Sequence, residues 1–351
     1  FPNKIPNPDL KWERTGQFDI GLDLGLFNNR LRITTDYYKK KTTDLLYSVA
    51  VPATSGYQTM LKNIGSIENQ GYELSIESDN LTGAFSWTTA FNIAFNRNKV
   101  LELGGEEYKE MAEGDGHLKT GCVRRLIVGE PIGVFYGYRF DGIFQNEEEC
   151  KQQTSSASPI GVGLRRYKDL NGDGKVDAAN DREILGDANP KFFGGLTNTF
   201  AYKGFELNVF LQYSYGNKIL NYNAMELENP TGGQNAYADM VNRWTPENPS
   251  NIYPKATTNR ALLVSDRFIE DGSYLKLKTL SLSYSFPKIN LKHIQGLRLY
   301  VTGQNLLTWT KYRGYDPEVS YRGASTLEAG EDFGGYPQSR TFMFGIKLDI
   351  K

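Results

Sequence analysis

The chain has 351 residues and a formal charge of −1, from 40 basic and 41 acidic side chains. This balance excludes a nucleic-acid surface, and no stretch approaches the roughly 18 consecutive apolar residues that a transmembrane helix needs. A transmembrane β-barrel is still allowed, because its strands alternate apolar and polar residues and its mean hydropathy resembles that of a soluble protein. The 22 Tyr, 19 Phe and 36 Gly favour an all-β protein with many turns.

Alternation of apolar and polar residues is the main structural signal. Between Phe18 and Leu26 every second residue is apolar, with polar or glycine residues between. The same pattern predicts nine strands, near residues 13–26, 30–47, 67–79, 84–97, 192–202, 205–216, 273–286, 297–311 and 339–350. In the seventh strand the apolar parity switches between Leu277 and Leu280, which predicts a β-bulge at that point.

The predicted connections alternate in length. The short ones include Asn28-Asn29, residues 79–83 and Lys203-Gly204. The long ones lie near residues 48–66, 98–191, 217–272 and 312–338. Short turns on one side and long loops on the other are typical of an outer-membrane barrel, with long extracellular loops and a periplasmic C-terminus. Because complete barrels have an even number of strands, the nine antiparallel strands predict the C-terminal part of a larger barrel.

Aromatic residues lie near both ends of the predicted strands. Near the short turns they are Phe85, Trp87, Phe200, Tyr202, Tyr284 and Phe286. Near the long loops they are Tyr37, Tyr47, Phe95, Tyr213, Tyr215, Tyr274 and Trp309. This distribution predicts two interfacial girdles, as transmembrane barrels have. The alternative is the general abundance of aromatic residues in large β proteins.

The segment 168–177, KDLNGDGKVD, has the pattern of a calcium-binding loop. Oxygen ligands at alternate positions and glycines at the bend are what such a loop needs. The predicted ligands are Asp169, Asn171, Asp173, Lys175 through its carbonyl, Asp177 and Asp181. Position 12 of the loop would be Asn180, and Asp181 follows one place later. The alternative is a metal-free turn closed by its own Asx side chains, and a calcium ion here would be structural.

Other polar residues suggest no catalytic constellation. The polar faces carry Asp19, Asp23, Asp36, Glu73, Glu77 and Glu206. These carboxylates fit a solvated lumen wall or pairing with a plug better than the defined two-acid geometry of a glycosidase. Cys122 and Cys150 lie in the same long loop, either as a disulfide or as free thiols. The sequence therefore predicts that the protein is not an enzyme.

Several blocks of the sequence, taken in order, resemble the SusC/RagA-type TonB-dependent outer-membrane transporters. The blocks are NPDLKWERTGQFDIGLDLGLFNNRLRITTDYYKKKTTDLL, NIGSIENQGYELSI, GEPIGVFYGYRFDGIFQ, DLNGDGKVD with the following DREILGDANPKFFGGLTNTFAYKGFELNVFLQYSYG, and GSYLKLKTLSLSYSFP. The resemblance covers nearly the whole chain. It implies a 22-stranded, lipid-exposed barrel with a plug in its lumen, in the outer membrane of a Gram-negative bacterium of the Bacteroidota type.

The same resemblance implies a function and partners. It implies TonB-driven import of glycan or peptide oligomers, together with a SusD-like surface lipoprotein that covers the barrel. The plug, the TonB-contacting segment and the earlier strands of such a transporter are expected outside residues 1–351. The chain also ends in Lys351, where such barrels usually end in an aromatic residue. A different interpretation is a secreted β-rich glycan-binding module with a dockerin-like calcium loop.

Overall fold

The computed structural model describes residues 4–111, 118, 121–229, 235–258, 262–286, 294–323, 325 and 327–350. Its main sheet has nine strands. They are β1 Arg14–Leu26, β2 Leu31–Thr43, β3 Ser66–Thr82, β4 Phe85–Glu102, β5 Phe192–Tyr202, β6 Phe205–Tyr215, β7 Tyr274–Ser285, β8 Ile294–Thr310 and β9 Thr341–Ile350. Each strand pairs antiparallel with its sequence neighbour, and the sheet does not close in the described residues. The predicted nine antiparallel strands of a partial barrel are confirmed.

The strand register places the predicted apolar residues on one continuous face. One row of directly paired residues crosses eight strands. Its members are Leu24, Ile33, Ile76, Phe91, Leu196, Leu211, Leu277 and Leu307. At the sheet edges this face is open to solvent: Ile20 is 60% exposed and Phe344 is 83% exposed. A soluble sandwich would bury such a face against a second sheet, whereas a barrel turns it to lipid.

The predicted bulge in β7 is confirmed. Leu277 and Thr279 pair with the adjacent residues Leu211 and Phe210 of β6, so Lys278 is the extra residue. After the bulge, Leu280 lies opposite Val209 on the apolar face. One inserted residue therefore returns the apolar side chains that follow it to the apolar face of the sheet.

The alternation of short and long connections also agrees with the prediction. Lys203 and Gly204 both have positive φ, 45° and 86°, as a tight hairpin turn requires. The next short turn lies mostly within 287–293, outside the described residues. The four long connections are 44–65, 103–191, 216–273 and 311–340, all at the opposite end of the sheet. We call them together the loop layer.

Some strand ends differ from the prediction. β2 was predicted to reach residue 47 but ends at Thr43, because Asp44 has a φ of 59° and turns the chain. The following residues, Leu46–Ala50, pair instead with Thr59–Asn63 in a separate small sheet. β4 runs beyond the predicted residue 97 to Glu102, because its ladder with β3 continues to Ser66.

The aromatic residues at the short-turn end contact one another across strands. Trp87 stacks on Phe200 at 5.8 Å between ring centroids, and Tyr284 contacts Phe205 at 4.5 Å. At the loop-layer end, Phe95 and Phe192 lie 5.8 Å apart. These contacts agree with the girdle interpretation at both ends of the sheet. Tyr274 is an exception, because its neighbour Leu275 is the residue that pairs on the apolar face. Tyr47 is another, because it lies in the separate small sheet.

The loop layer contains short elements rather than long ones. Its strands are Leu46–Ala50, Thr59–Asn63, Tyr108–Glu110, Arg124–Ile127, Val134–Tyr138, Phe140–Ile143, Thr154–Ser155, Arg165–Tyr167, Lys175–Val176, Arg182–Gly186, Lys218–Asn221, Ile269–Asp271 and Glu331–Asp332, and Lys4–Ile5 pairs with the second of them. The helices are α1 Glu147–Gln152 and α2 Tyr222–Leu227, with 3-10 turns at Ala53–Ser55, Ala238–Asn242 and Asp266–Phe268. Within the described residues, no helix has the length and apolar character to cross a bilayer.

The face assignment predicts the effect of a charge in β6. Val209→Arg would place a guanidinium near the middle of the apolar face, and the expected loss of stability is about 2–4 kcal/mol. Asn208→Arg is the matched control, because Asn208 is next to Val209 in the strand and lies on the polar face. The measurement is the folded fraction in lipid as denaturant is increased. Equal losses for the two variants would contradict the face assignment.

Candidate functional site in the loop layer

The buried apolar core of the described chain lies in the loop layer. Phe135, Met225 and Phe268 are fully buried and belong to one cluster. They come from two different connections, and Phe333 of a third packs against them. The long loops are therefore folded against one another rather than extended into solvent.

A buried ion pair joins two of these connections. Arg124 Nε lies 2.8 Å from Glu331 Oε1, and both side chains are about 2% exposed. The Arg124 guanidinium also lies 4.2 Å from the ring centroid of Phe135 and donates to the Gly133 carbonyl. Such a pair depends on close, well-oriented hydrogen bonds as well as on opposite charge, because burial removes the hydration of both ions.

A second cluster of charges surrounds Glu228, which is fully buried. Its two carboxylate oxygens accept from Arg267 and Arg313, with N–O distances of 2.7 Å and 2.8 Å. Arg313 also binds Glu270 at 2.8 Å. Burial disfavours the charged form of Arg313, but its two carboxylate partners outweigh burial and raise its pKa. This cluster ties 216–273 to 311–340.

The connection 311–340, which we call the strap, is anchored on the polar face of β7. Lys276 Nζ lies 2.6 Å from Asp316 Oδ1 and 2.5 Å from Glu318 Oε2. Lys276 is opposite Gln212 of β6, on the polar face. The ammonium group is almost fully buried, so the strap lies directly over it.

The other part of the strap reaches the far side of the sheet. Leu327 lines an apolar pocket with Leu45, Ile64 and Val100, at the loop-layer ends of β2, β3 and β4. In the order of the sheet, β4 is three strands away from β7, and β2 is five strands away from it. At about 4.8 Å per strand the strap spans roughly 14–24 Å across the polar face. It braces strands that do not pair with one another.

The predicted calcium loop is closed by its own backbone. The two oxygens of Asp169 each accept from a glycine N–H, of Gly172 and Gly174, at 2.7 Å. Asp181 is fully buried and accepts from Leu170 N at 2.8 Å and Asp177 N at 2.7 Å.

The remaining predicted ligands bind one another or nearby N–H groups. Asn171 Nδ2 donates to Asp173 Oδ2 at 3.0 Å, and Lys175 Nζ donates to Asp177 Oδ2 at 3.0 Å. The bond from Lys175 is the main cause of a lowered pKa for Asp177. In the part of the chain that is described, no three His, Cys, Asp or Glu side chains converge as a metal site. The Asx and Gly geometry of the loop is established, and calcium remains a prediction.

Several carboxylates of the polar face pair with basic residues of the sheet. Glu77 binds Arg32 at 2.9 Å and Glu206 binds Arg298 at 2.6 Å. Asp36 and Glu73 are directly paired in register between β2 and β3. The sheet therefore supplies cations for part of the polar face, for which a solvated lumen wall and pairing with a plug were the two expectations.

Both cysteines are free thiols in the structure. Cys122 donates to the Arg124 carbonyl at 2.8 Å, and its burial, together with the nearby Glu110, raises its pKa to about 11. Cys150 lies on α1 and does not approach it as a disulfide partner.

The loop aromatics have different roles. Tyr222 is part of the core, and Trp244 donates to Gln145 at 3.1 Å. Tyr315 and Tyr336 are 81% and 89% exposed. The buried pairs around Arg124, Glu228 and Lys276 leave no signal in the sequence, because their partners are far apart in the chain and follow no local spacing.

A family profile, curated relatives and solved structures agree on the family of this chain. A profile of the family described as "TonB dependent receptor-like, beta-barrel" matches residues 1–306. The chain belongs to the TonB-dependent receptor β-barrel family. The predicted resemblance to SusC/RagA-type transporters is confirmed by the relatives and structures that follow.

TonB-dependent receptor P3 of Formosa agariphila is 41% identical over 349 residues, which are 97% of this chain and 34% of that protein. TonB-dependent receptor SusC of Bacteroides thetaiotaomicron is 30% identical over 361 residues, 99% of this chain and 33% of SusC. A chain of the RagAB peptide transporter matches with a TM-score of 0.78 and 27% identity, over 98% of this chain and 36% of that chain. The chain spans about a third of the length of the curated relatives it matches.

Membership of the TonB-dependent receptor β-barrel family settles the choice between a barrel and a sandwich. The family is an outer-membrane family, and the continuous apolar face is the lipid-facing surface of its barrel. The interpretation as a secreted β-rich module is therefore wrong.

The strap anchor of this TonB-dependent receptor barrel gives a second prediction. Lys276→Met would leave Asp316 and Glu318 without their buried cation, and losing one partner of a buried pair typically costs about 3–5 kcal/mol. The expected result is faster amide hydrogen exchange throughout 311–340. Lys278→Met is the control, because Lys278 makes only a 3.2 Å contact with Glu318. Unchanged exchange in the Lys276 variant would contradict the anchor.

The same anchor should depend on pH. Burial favours the neutral forms of Asp316 and Glu318, but the Lys276 hydrogen bonds outweigh burial and lower both pKa values from their usual 3.8 and 4.5. A carboxyl group whose pKa is lower in the folded than in the unfolded state stabilises the fold fully at pH values above its unfolded pKa. That contribution is lost as the pH falls through its folded pKa. Protection of the strap should therefore stay constant above pH 4.5 and decline below pH 3.8.

Proposed function

We propose that this chain forms the C-terminal barrel part of a TonB-dependent importer of glycan or peptide oligomers. The supporting observation is the match to a chain of the RagAB peptide transporter, which covers 98% of this chain and so includes both sheet and loop layer. The activity is transport rather than catalysis. In this proposal the free edges of β1 and β9 pair with further strands of the same barrel, and a plug fills the lumen.

The proposal includes a direction across the membrane. The long connections are on the cell surface, and the short turns and the C-terminus are in the periplasm, as in other outer-membrane barrels. TonB acts from the periplasmic side, through a part of the protein outside residues 1–351. The loop layer then lies where substrate first meets the barrel.

A SusD-like lipoprotein covers the loop layer in this proposal. The layer has a packed core, yet it exposes large apolar side chains: Val241 is 75% exposed, Tyr315 81% and Tyr336 89%. Aromatic and apolar residues of this kind are enriched in protein interfaces. The short helix Ala238–Asn242 presents Val241, while its neighbour Met240 is buried in the layer.

The topology and the partner can be tested together by labelling. Val241→Cys should react with a membrane-impermeant maleimide on whole cells that lack the lipoprotein, and should be shielded when the lipoprotein is present. The parent chain reports the background from Cys122 and Cys150, which are only partly exposed. Labelling only after rupture of the outer membrane would place the loop layer in the periplasm.

A structural calcium ion in the loop 168–181 is part of the proposal. Asp169, Asp173 and Asp177 carry three negative charges within nine residues, and Lys175 supplies one positive charge among them. Oxygen ligands of this type suit calcium, and a site of this kind outside the cell can be weak. The ion would neutralise the loop and order it, and it would take no part in chemistry.

Limited proteolysis tests the calcium ion. A chelator should increase cleavage within 160–190 and leave the sheet intact, because the strands are held by ladder hydrogen bonds and lipid. Asp169→Ala combined with Asp173→Ala should be cleaved as fast with calcium as the parent is without it. If the chelator leaves the cleavage rate of the parent unchanged, the loop is a metal-free Asx/Gly turn.

A further inference from the structure

A small cleft in the loop layer has a buried arginine in its wall. Arg165, Tyr167 and Asn229 are buried and line it, while Ser158 and Thr257 are only partly buried and also line it. Its free volume is about 30 Å³. A water molecule needs roughly 10–15 Å³ by the same measure, so the cleft has room for a group of two or three heavy atoms.

Arg165 is only partly satisfied by the protein. The side chain is 8% exposed, and its Nη2 donates to the Glu228 backbone carbonyl at 3.0 Å. Its Nε has no hydrogen-bond partner among the described residues. The nearby Glu228 carboxylate is already held by two other arginines. A buried guanidinium N–H without an acceptor is uncommon, because desolvation of a charged donor is unfavourable.

The charges around the cleft do not balance. The cluster contains three guanidinium groups, of Arg165, Arg267 and Arg313, and two carboxylates, of Glu228 and Glu270, within the described residues. Among the described residues of this cluster the difference is one positive charge, and they supply no ion pair for Arg165. Among the described residues the same cluster thus has an excess cation and an adjoining cavity whose wall is partly polar, with Pro159, Leu164 and Pro254 as its apolar part.

We propose that this cleft binds a carboxylate group of a ligand. A planar carboxylate matches the edge of a guanidinium and can accept from the Nη hydrogens of Arg165 that do not bind the Glu228 carbonyl. Ser158 and Asn229 supply further hydrogen-bonding groups in the walls. Such a carboxylate is present on a uronic acid unit of a glycan and at the C-terminus of a peptide. The site concerns recognition in the loop layer and does not depend on whether the barrel imports the ligand.

Calorimetric titration of the full protein in detergent tests the site. The probes are galacturonate and N-acetyl-glycyl-glycine, each beside its neutral counterpart, galactose and the amidated peptide. The proposal expects at least one carboxylate probe to bind and its neutral counterpart not to bind. Binding of galacturonate alone indicates an acidic glycan, and binding of the peptide alone indicates a peptide terminus. If neither acid binds, or if acid and neutral forms bind equally, the site is refuted.

Two variants separate the site from general damage to the fold. Ser158→Asp places a carboxylate at the rim of the cleft, where it competes for Arg165, and should weaken binding by about tenfold or more. Ser156→Asp carries the same charge on an exposed residue that does not line the cleft. Arg165→Gln should abolish binding, but its contact with Glu228 also supports the loop layer. The Ser158 variant therefore decides the outcome: binding equal to that of the Ser156 variant overturns the proposal.

Discussion

Everything in this structure depends on the backbone hydrogen-bond ladder of the nine-stranded sheet. In a bilayer each strand must find its partners for N–H and C=O in a neighbouring strand, because no water is available. The continuous register from β1 to β9 meets this need, and it also fixes which side chains meet lipid. Even the bulge at Lys278 serves that constraint, since without it the second half of β7 would turn its leucines to the polar face.

A sheet with one face toward lipid has little protein against which to build a core. The loop layer supplies one instead: Phe135, Met225 and Phe268 are buried there, far in sequence from one another. The layer also concentrates the buried charges, of which Arg124 with Glu331 and Glu228 with its two arginines are the clearest. Buried ion pairs add little net stability compared with apolar packing, but removing one partner is strongly unfavourable. These pairs therefore determine how the loops are arranged more than they increase the stability of the layer.

The strap connects these two parts of the molecule. Through Lys276 it is attached to the sheet itself, and through Glu331 and Leu327 it is attached to other loops and to the opposite strands. A long connection that contacts strands several positions apart limits how far they can move relative to one another. The strap thus connects the loop layer to the polar face of the sheet, in addition to the contacts of residues 129–132 with the end of β4.

Local information in the sequence was sufficient for the sheet. Alternation around Phe18 and Val209 predicted the strands and their faces. Lys203-Gly204 predicted a turn, and the parity switch before Leu280 predicted the bulge. Each of these features depends on residues close in the chain. The turn at 168–177 was recognisable for the same reason, through Asp169 and its two glycines. Strand ends were less accurate, since the end of β2 at Thr43 depends on the φ of Asp44.

The loop layer could not be derived in this way. Arg124 meets Glu331 across 207 positions, and Arg165 meets Glu228 across 63. Neither pair has a spacing that a strand or helix repeat would reveal. Alternation alone also left open whether lipid or a second sheet covers the apolar face. Only the tertiary structure decided which charges are neutralised and which, like that of Arg165, find no ion pair in the described part of the chain, because burial brings together residues that the sequence keeps far apart.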